Sequence, residues 1–201
     1  MGQNDFAKQI SVFDQNGGIL RTSQALELGI HPRDLYAMKS KKVIESLGRG
    51  LYRLSKLPSL AKPDLTTAAS KIPQGIVCLI SALAFHDLTT QIPHEVYIAL
   101  RKGAEKPRLH FPPARFVWLS SEAFESGIET HTIDGIAMKI YSPEKTVADC
   151  FKFRNKIGLD VAIEALKFCR QRKRSSVDSL MKYARVDRVE KVMKPYLEAI
   201  L

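Results

Sequence analysis

At 201 residues the chain is long enough for two small domains or one large core, and 45% hydrophobic with 26% charged residues is the balance of a globular protein. A net charge of +10 and a pI near 9.6 favour a polyanionic partner, nucleic acid before an anionic membrane surface. No apolar run reaches the roughly 20 residues of a membrane span, the start MGQNDFAKQISVF carries an early Asp5 and no small-residue cleavage site, and the odd set Cys78, Cys150 and Cys169 reads as reduced core thiols, so a cytoplasmic protein with no membrane partner is expected.

In chain order, Phe6, Ile10 and Phe13 recur at helical spacing and predict a first helix over 5–15, ended by Asn16-Gly17-Gly18. Ile19 and Leu20 make a short extended piece. Thr22 or Ser23 should cap a second helix with Ala25, Leu26 and Leu28 on its buried side. Gly29-Ile30-His31-Pro32 is a tight turn, and Pro32 suits the first position of a third helix running to about Lys41. Leu35 and Met38 would be buried, leaving His31, Arg33, Tyr36, Ala37, Ser40 and Lys41 outward, a polar and basic set such as a recognition helix needs. Two short strands follow, 43–47 and 51–54, joined by Gly48-Arg49-Gly50. Glycines let the backbone approach a phosphate closely, and Arg49 or Arg53 could bridge phosphates or enter a minor groove. The order is that of a winged helix-turn-helix. Its candidate DNA contacts are Thr22, Ser23, His31, Arg33, Tyr36, Ser40, Lys41, Arg49 and Arg53.

Residues 57–63, with two prolines, read as a linker between a DNA-binding domain over 1–56 and a second domain over 64–201. In the second domain Asp64 should cap a helix to about Ile72. The apolar run 76–80 reads as a buried strand, and Ser81 as the cap of the helix after it. Strands are predicted at 95–100 and 116–119, and a hairpin at 128–141 turns on Asp134-Gly135. Ser142-Pro143-Glu144 is a strong helix start. Further helices are predicted over 160–172, from Ser175 or Ser176, and over 187–200, with Pro195 as a kink or a break. The fold class is therefore α+β: the winged domain, then a mixed domain with a small sheet and a C-terminal helical bundle.

Arg101, Lys102, Lys106, Arg108 and Arg115 cluster between two strands, and Arg170, Arg172, Lys173 and Arg174 form a second run. Each is either a further phosphate-tracking surface or a solvated loop. The chain lacks a phosphate-binding glycine loop, zinc spacing and a nucleophile elbow, so no catalytic residue, metal or cofactor is assigned. Asp134, Glu144, Lys145 and Asp149 form the one carboxylate cluster a nuclease would use, though the first turn of a helix explains Glu144 and Lys145 as well. A DNA-targeted nuclease and a protein-interaction module with an incidental basic surface are the rival readings.

The string GIHPRDLYAMKSKKVIESLGRGLYRL resembles the N-terminal domain of AbiEi-type antitoxins, the regulators of AbiE (type IV) toxin–antitoxin systems. The shared pattern is Gly29-Ile30, Leu35-Tyr36, and a wing of Gly48-Arg49-Gly50-Leu51-Tyr52-Arg53. Ser81-Ala82-Leu83 with His86-Asp87-Leu88, and the stretch from Tyr141 to Cys150, are similar to the family's second domain more diffusely. The resemblance implies a repressor that binds inverted repeats in its own promoter, in double-stranded DNA. It also implies a second domain that counters a nucleotidyltransferase-like toxin, in phage defence, without a tight complex.

Overall fold

The structure is a computed structural model and describes residues 6–48, 50–172 and 176–200. It divides into two compact units, Met1–Lys71 with Thr132–Ala137, and Ile72–His131 with Met138–Leu201. The division falls at Lys71, not in the proline-containing stretch 57–63. The helix expected to open the second domain thus groups with the first unit.

The first unit runs α1 (Ala7–Gln15), β1 (Ile19–Arg21), α2 (Thr22–Glu27), α3 (Pro32–Ser40), β2 (Ile44–Gly48), β3 (Leu51–Leu54) and α4 (Pro63–Lys71). Its sheet has the order β1-β3-β2 and is antiparallel throughout. Phe13, Leu20, Ala25, Ile30, Leu35, Met38, Ile44 and Leu54 form its core. The glycine stop works as predicted: Gly17 and Gly18 both take positive φ, and the Gly18 N–H returns to the Phe13 carbonyl at 2.7 Å. Arg21 reaches α4, donating to the Ser70 carbonyl at 2.5 Å.

Two expectations fail here. Thr22 and Ser23 do not cap α2; Arg21 is the capping position, and its N–H is taken by the Gln24 side chain at 3.0 Å. Leu26 and Leu28 are not buried but 44% and 45% exposed, because a six-residue helix turns only Ala25 into the core.

The second unit carries α5 (Leu79–Phe85), α6 (Ser121–Glu125), α7 (Pro143–Lys152), α8 (Arg154–Ile157), α9 (Leu159–Gln171), α10 (Val177–Val186) and α11 (Glu190–Glu198). Its strands are β4 (Ile76–Val77), β5 (Val96–Arg101) and β6 (Ala114–Leu119), with the hairpin of β7 (Ile128–Ile133) and β8 (Ile136–Tyr141), in the order β6-β5-β4-β8-β7. Asp134 and Gly135 take φ of 52° and 77°, the paired left-handed conformation that a two-residue hairpin turn requires. The run 76–80 splits: two residues stay in the sheet and Leu79 opens a helix. Ser81 is therefore inside α5, where its hydroxyl accepts from the Tyr97 N–H at 3.0 Å instead of capping. Ser142 and Ser176 do cap α7 and α10, accepting from Lys145 and Ser179 N–H groups. The architecture is mixed α+β with two small sheets. Among the described residues no helix is long and apolar enough to cross a membrane.

Candidate nucleic-acid interface

The surface of α3 is set by how its two ends are tied down. Gly29, at φ +82°, ends the preceding turn, and the Ile30 N–H bonds the Ala25 carbonyl at 2.8 Å, which drops Ile30 (2% exposed) into the core. His31 caps α3, its Nδ1 accepting from the Arg33 N–H at 3.2 Å, and Pro32 takes the first position, where no N–H is needed. Asp34 sits in the first turn and accepts from the Gln9 side chain at 3.1 Å, fixing α3 to α1. Leu35 and Met38 then point inward. At 3.6 residues per turn, Arg33, Tyr36 and Ser40 share the opposite face, and all three are exposed, Tyr36 by 69%. His31 and Ser23 are exposed too.

Lys41 lies on the α1 side, with its ammonium 5.1 Å from the Phe6 ring centroid. Lys39, absent from the sequence-derived set, lies on the other flank. It lines a groove of about 420 Å³ with Tyr36, Thr22, Ser46, Gly50 and Tyr52, so the groove lies between α3 and the β2–β3 hairpin. The signal was available: Lys39 follows Tyr36 by three positions, one helical turn.

The hairpin is pinned to α2. Gly50 sits at φ +71°, and its carbonyl accepts from both the Thr22 N–H at 2.8 Å and the Thr22 hydroxyl at 3.3 Å. A Cβ at Gly50 would come within 3.2 Å of that hydroxyl, so glycine is needed for both conformation and space. Thr22 is therefore a brace between helix and hairpin. Arg49 lies outside the described residues.

Arg53 corrects the sequence reading. The hairpin reading makes it a second phosphate contact beside Arg49, yet it is 5% exposed. Its guanidinium donates to Glu45 at 2.9 Å and to the Pro58 carbonyl, so it holds the sheet and the following chain together.

In the second unit, the 101–115 cluster separates into two kinds of residue. Arg101 pairs with Glu125 at 3.0 Å, and Arg115 pairs with Glu95 at 2.7 Å while lying over the Tyr97 ring. Lys102, Lys106 and Arg108 are exposed, and among the described residues none has a carboxylate partner. Arg172 lies 3.7 Å from Asp87; Lys173 and Arg174 fall outside the described residues.

The carboxylates of the nuclease reading are not brought together. Asp134 groups with the first unit and accepts from the Ala61 N–H at 2.9 Å. Glu144 is half-buried in the first turn of α7, and Asp149 is buried against Lys145. Among the described residues no three metal-ligating side chains are placed for an ion.

What α7 does contain escaped the sequence reading. Lys145, fully buried, donates to Asp149 at 2.5 Å and to Asp187 at 3.1 Å, with Lys152 also reaching Asp187 at 3.3 Å. Burial opposes the Lys145 charge, but Asp149 and Asp187 outweigh it and hold the ammonium above its ordinary range. Burial pushes the Asp149 carboxyl up to about 8, Asp187 adding to this and Lys145 opposing it. Burial likewise raises the thiols of Cys78 and Cys150, and the three buried cysteines form no disulfide. The cluster ties α7 to the end of α10. It is a structural ion network, and the i,i+4 spacing of Lys145 and Asp149 was its one sequence trace.

No curated protein matches the chain at a significant level. Residues 8–55, the segment from α1 through β3, match the family described as "Transcriptional regulator, AbiEi antitoxin".

Proposed function

We propose that the chain is a DNA-binding repressor of its own promoter and the antitoxin of an AbiE-like operon. On this reading α2, the Gly29–His31 turn and α3 are a helix-turn-helix, with α3 entering the major groove and β2–β3 acting as the wing. The observation that carries it is the exposed face of Arg33, Tyr36 and Ser40, flanked by Lys39 and Lys41 and facing a groove that the wing closes, within the segment that matches a family of regulators. Arg33 and Tyr36 would meet base edges, Lys39 and Lys41 the phosphates on either side, and Arg49 the backbone beyond the wing. Inverted repeats would be met by two copies, one per half-site. The second domain, with α7 to α11 as a helical bundle, would counter a nucleotidyltransferase-like toxin without a tight complex. It would do so without catalysis, metal or cofactor, in the cytoplasm.

A reporter fused to the DNA upstream of this gene tests the regulatory part. Wild-type protein should repress it, and an Arg33→Ala, Arg49→Ala double variant at equal protein level should not. Full repression by the double variant would defeat the reading.

A further inference from the structure

The first unit contains 11 lysines and arginines against 7 aspartates and glutamates, a net +4, whereas the second contains 20 against 14, a net +6. The recognition helix and wing therefore leave more than half of the excess charge without a use. Three exposed cations of the second unit, Lys102, Lys106 and Arg108, gather in one segment and lack carboxylate partners among the described residues.

That segment has an ordered course. β6 is an edge strand, and the connection from β5 returns along it. The Lys102 N–H bonds the Leu119 carbonyl at 2.7 Å, and the Ala104 carbonyl accepts the Trp118 indole N–H at 2.9 Å. The Lys106 ammonium lies 6.0 Å from the Phe116 ring centroid. The connection reaches the start of β6 at Phe111, 61% exposed, so cations lie between two exposed rings, Phe111 and the 41% exposed Trp118. Ala114 to Trp118 alone spans about 13 Å of strand. The bond to Ala104 fixes the indole edge while the ring remains accessible, which makes Trp118 a stacking surface already held in place.

We propose that this strip binds single-stranded nucleic acid, with bases stacking on Trp118 and Phe111 and phosphates tracking Lys102, Lys106 and Arg108. Stacking on an aromatic ring needs an unpaired base face, which a duplex keeps inside its own stack. A strand edge bearing rings and cations suits a flexible single strand. The proposal does not rest on operator recognition by the first unit.

Trp118 is the sole tryptophan of the chain, so its emission reports this strip directly. A mixed-sequence DNA single strand of about 12 nucleotides, titrated into the full chain, should quench that emission saturably, and added salt should reverse it. The duplex of the same sequence should leave the emission unchanged. A triple Lys102→Glu, Lys106→Glu, Arg108→Glu variant should weaken the quenching about tenfold or more. Should that variant fail to fold, Phe111→Ser keeps the reporter and should weaken it severalfold. An Arg33→Ala, Tyr36→Ala variant should quench as wild type does. Absence of quenching, equal quenching by duplex, indifference to both strip variants, or loss in the Arg33→Ala, Tyr36→Ala variant would each overturn the proposal.

Discussion

α3 and α7 begin alike and end up opposite. Each has a side-chain cap, a proline at the first position and an acid within the first turn, His31-Pro32 with Asp34 and Ser142-Pro143 with Glu144. In α3 only Leu35 and Met38 are buried, and the cations remain on the surface. In α7 every residue from Lys145 to Phe151 is buried, the lysine included. The start signal of a helix thus fixes where it begins, while the packing around it decides whether its charges meet solvent or each other. A cation in the first turn belongs to a surface in one unit, Arg33, and to a core network in the other, Lys145.

The largest expected effect breaks that contrast from the buried side. Lys145→Met strands the Asp149 carboxyl in a dry site, leaves Asp187 with Lys152 alone, and should cost about 3–5 kcal/mol of stability in denaturant unfolding, whereas Arg33→Ala should stay within about 0.5 kcal/mol. The same network gives a pH dependence. Asp149 holds its proton more tightly folded than unfolded, so the folded state carries the extra proton between the ordinary value of 3.8 and about 8. Stability should fall as pH rises through that window, and Asp149→Asn should flatten the slope. An unchanged slope in that variant would mean Asp149 titrates normally.

Arg53 sharpens the comparison within the first unit. Arg53→Ala should destabilise by about 1–2 kcal/mol through loss of the Glu45 and Pro58 bonds, read as a lower melting temperature. Melting unchanged, with DNA affinity lost, would return Arg53 to the wing contacts. The smallest effect belongs to Leu26→Gln, expected within about 0.5 kcal/mol because that side chain is already in solvent.

Features set by neighbours in sequence were legible. The glycine stop of α1, Pro32 at the start of α3, the Asp134-Gly135 turn and the Ser142 cap all depend on a few adjacent residues. Features set by distant partners were not. Arg53 reads as a charged wing residue, and only Pro58 and Glu45, from the next loop and the neighbouring strand, account for its burial. The apolar run 76–80 has no periodicity to separate strand from helix, so the turn at Cys78–Leu79 was invisible. Asp187 lies 42 residues from Lys145, and no local pattern joins them. The outward face of α3 could be read because the buried pair Leu35 and Met38 fixes its opposite. Lys39 was missed because its groove is completed by the hairpin.

DNA recognition by α3 is tested most directly by a mobility-shift titration of the full chain against duplex from upstream of its own gene and against a scrambled duplex, in wild type and Arg33→Ala at matched salt. Wild type should prefer the native duplex, and Arg33→Ala should lose about 1–3 kcal/mol on it with little change on the scrambled one. Equal affinity of both proteins for both duplexes would contradict DNA recognition by α3.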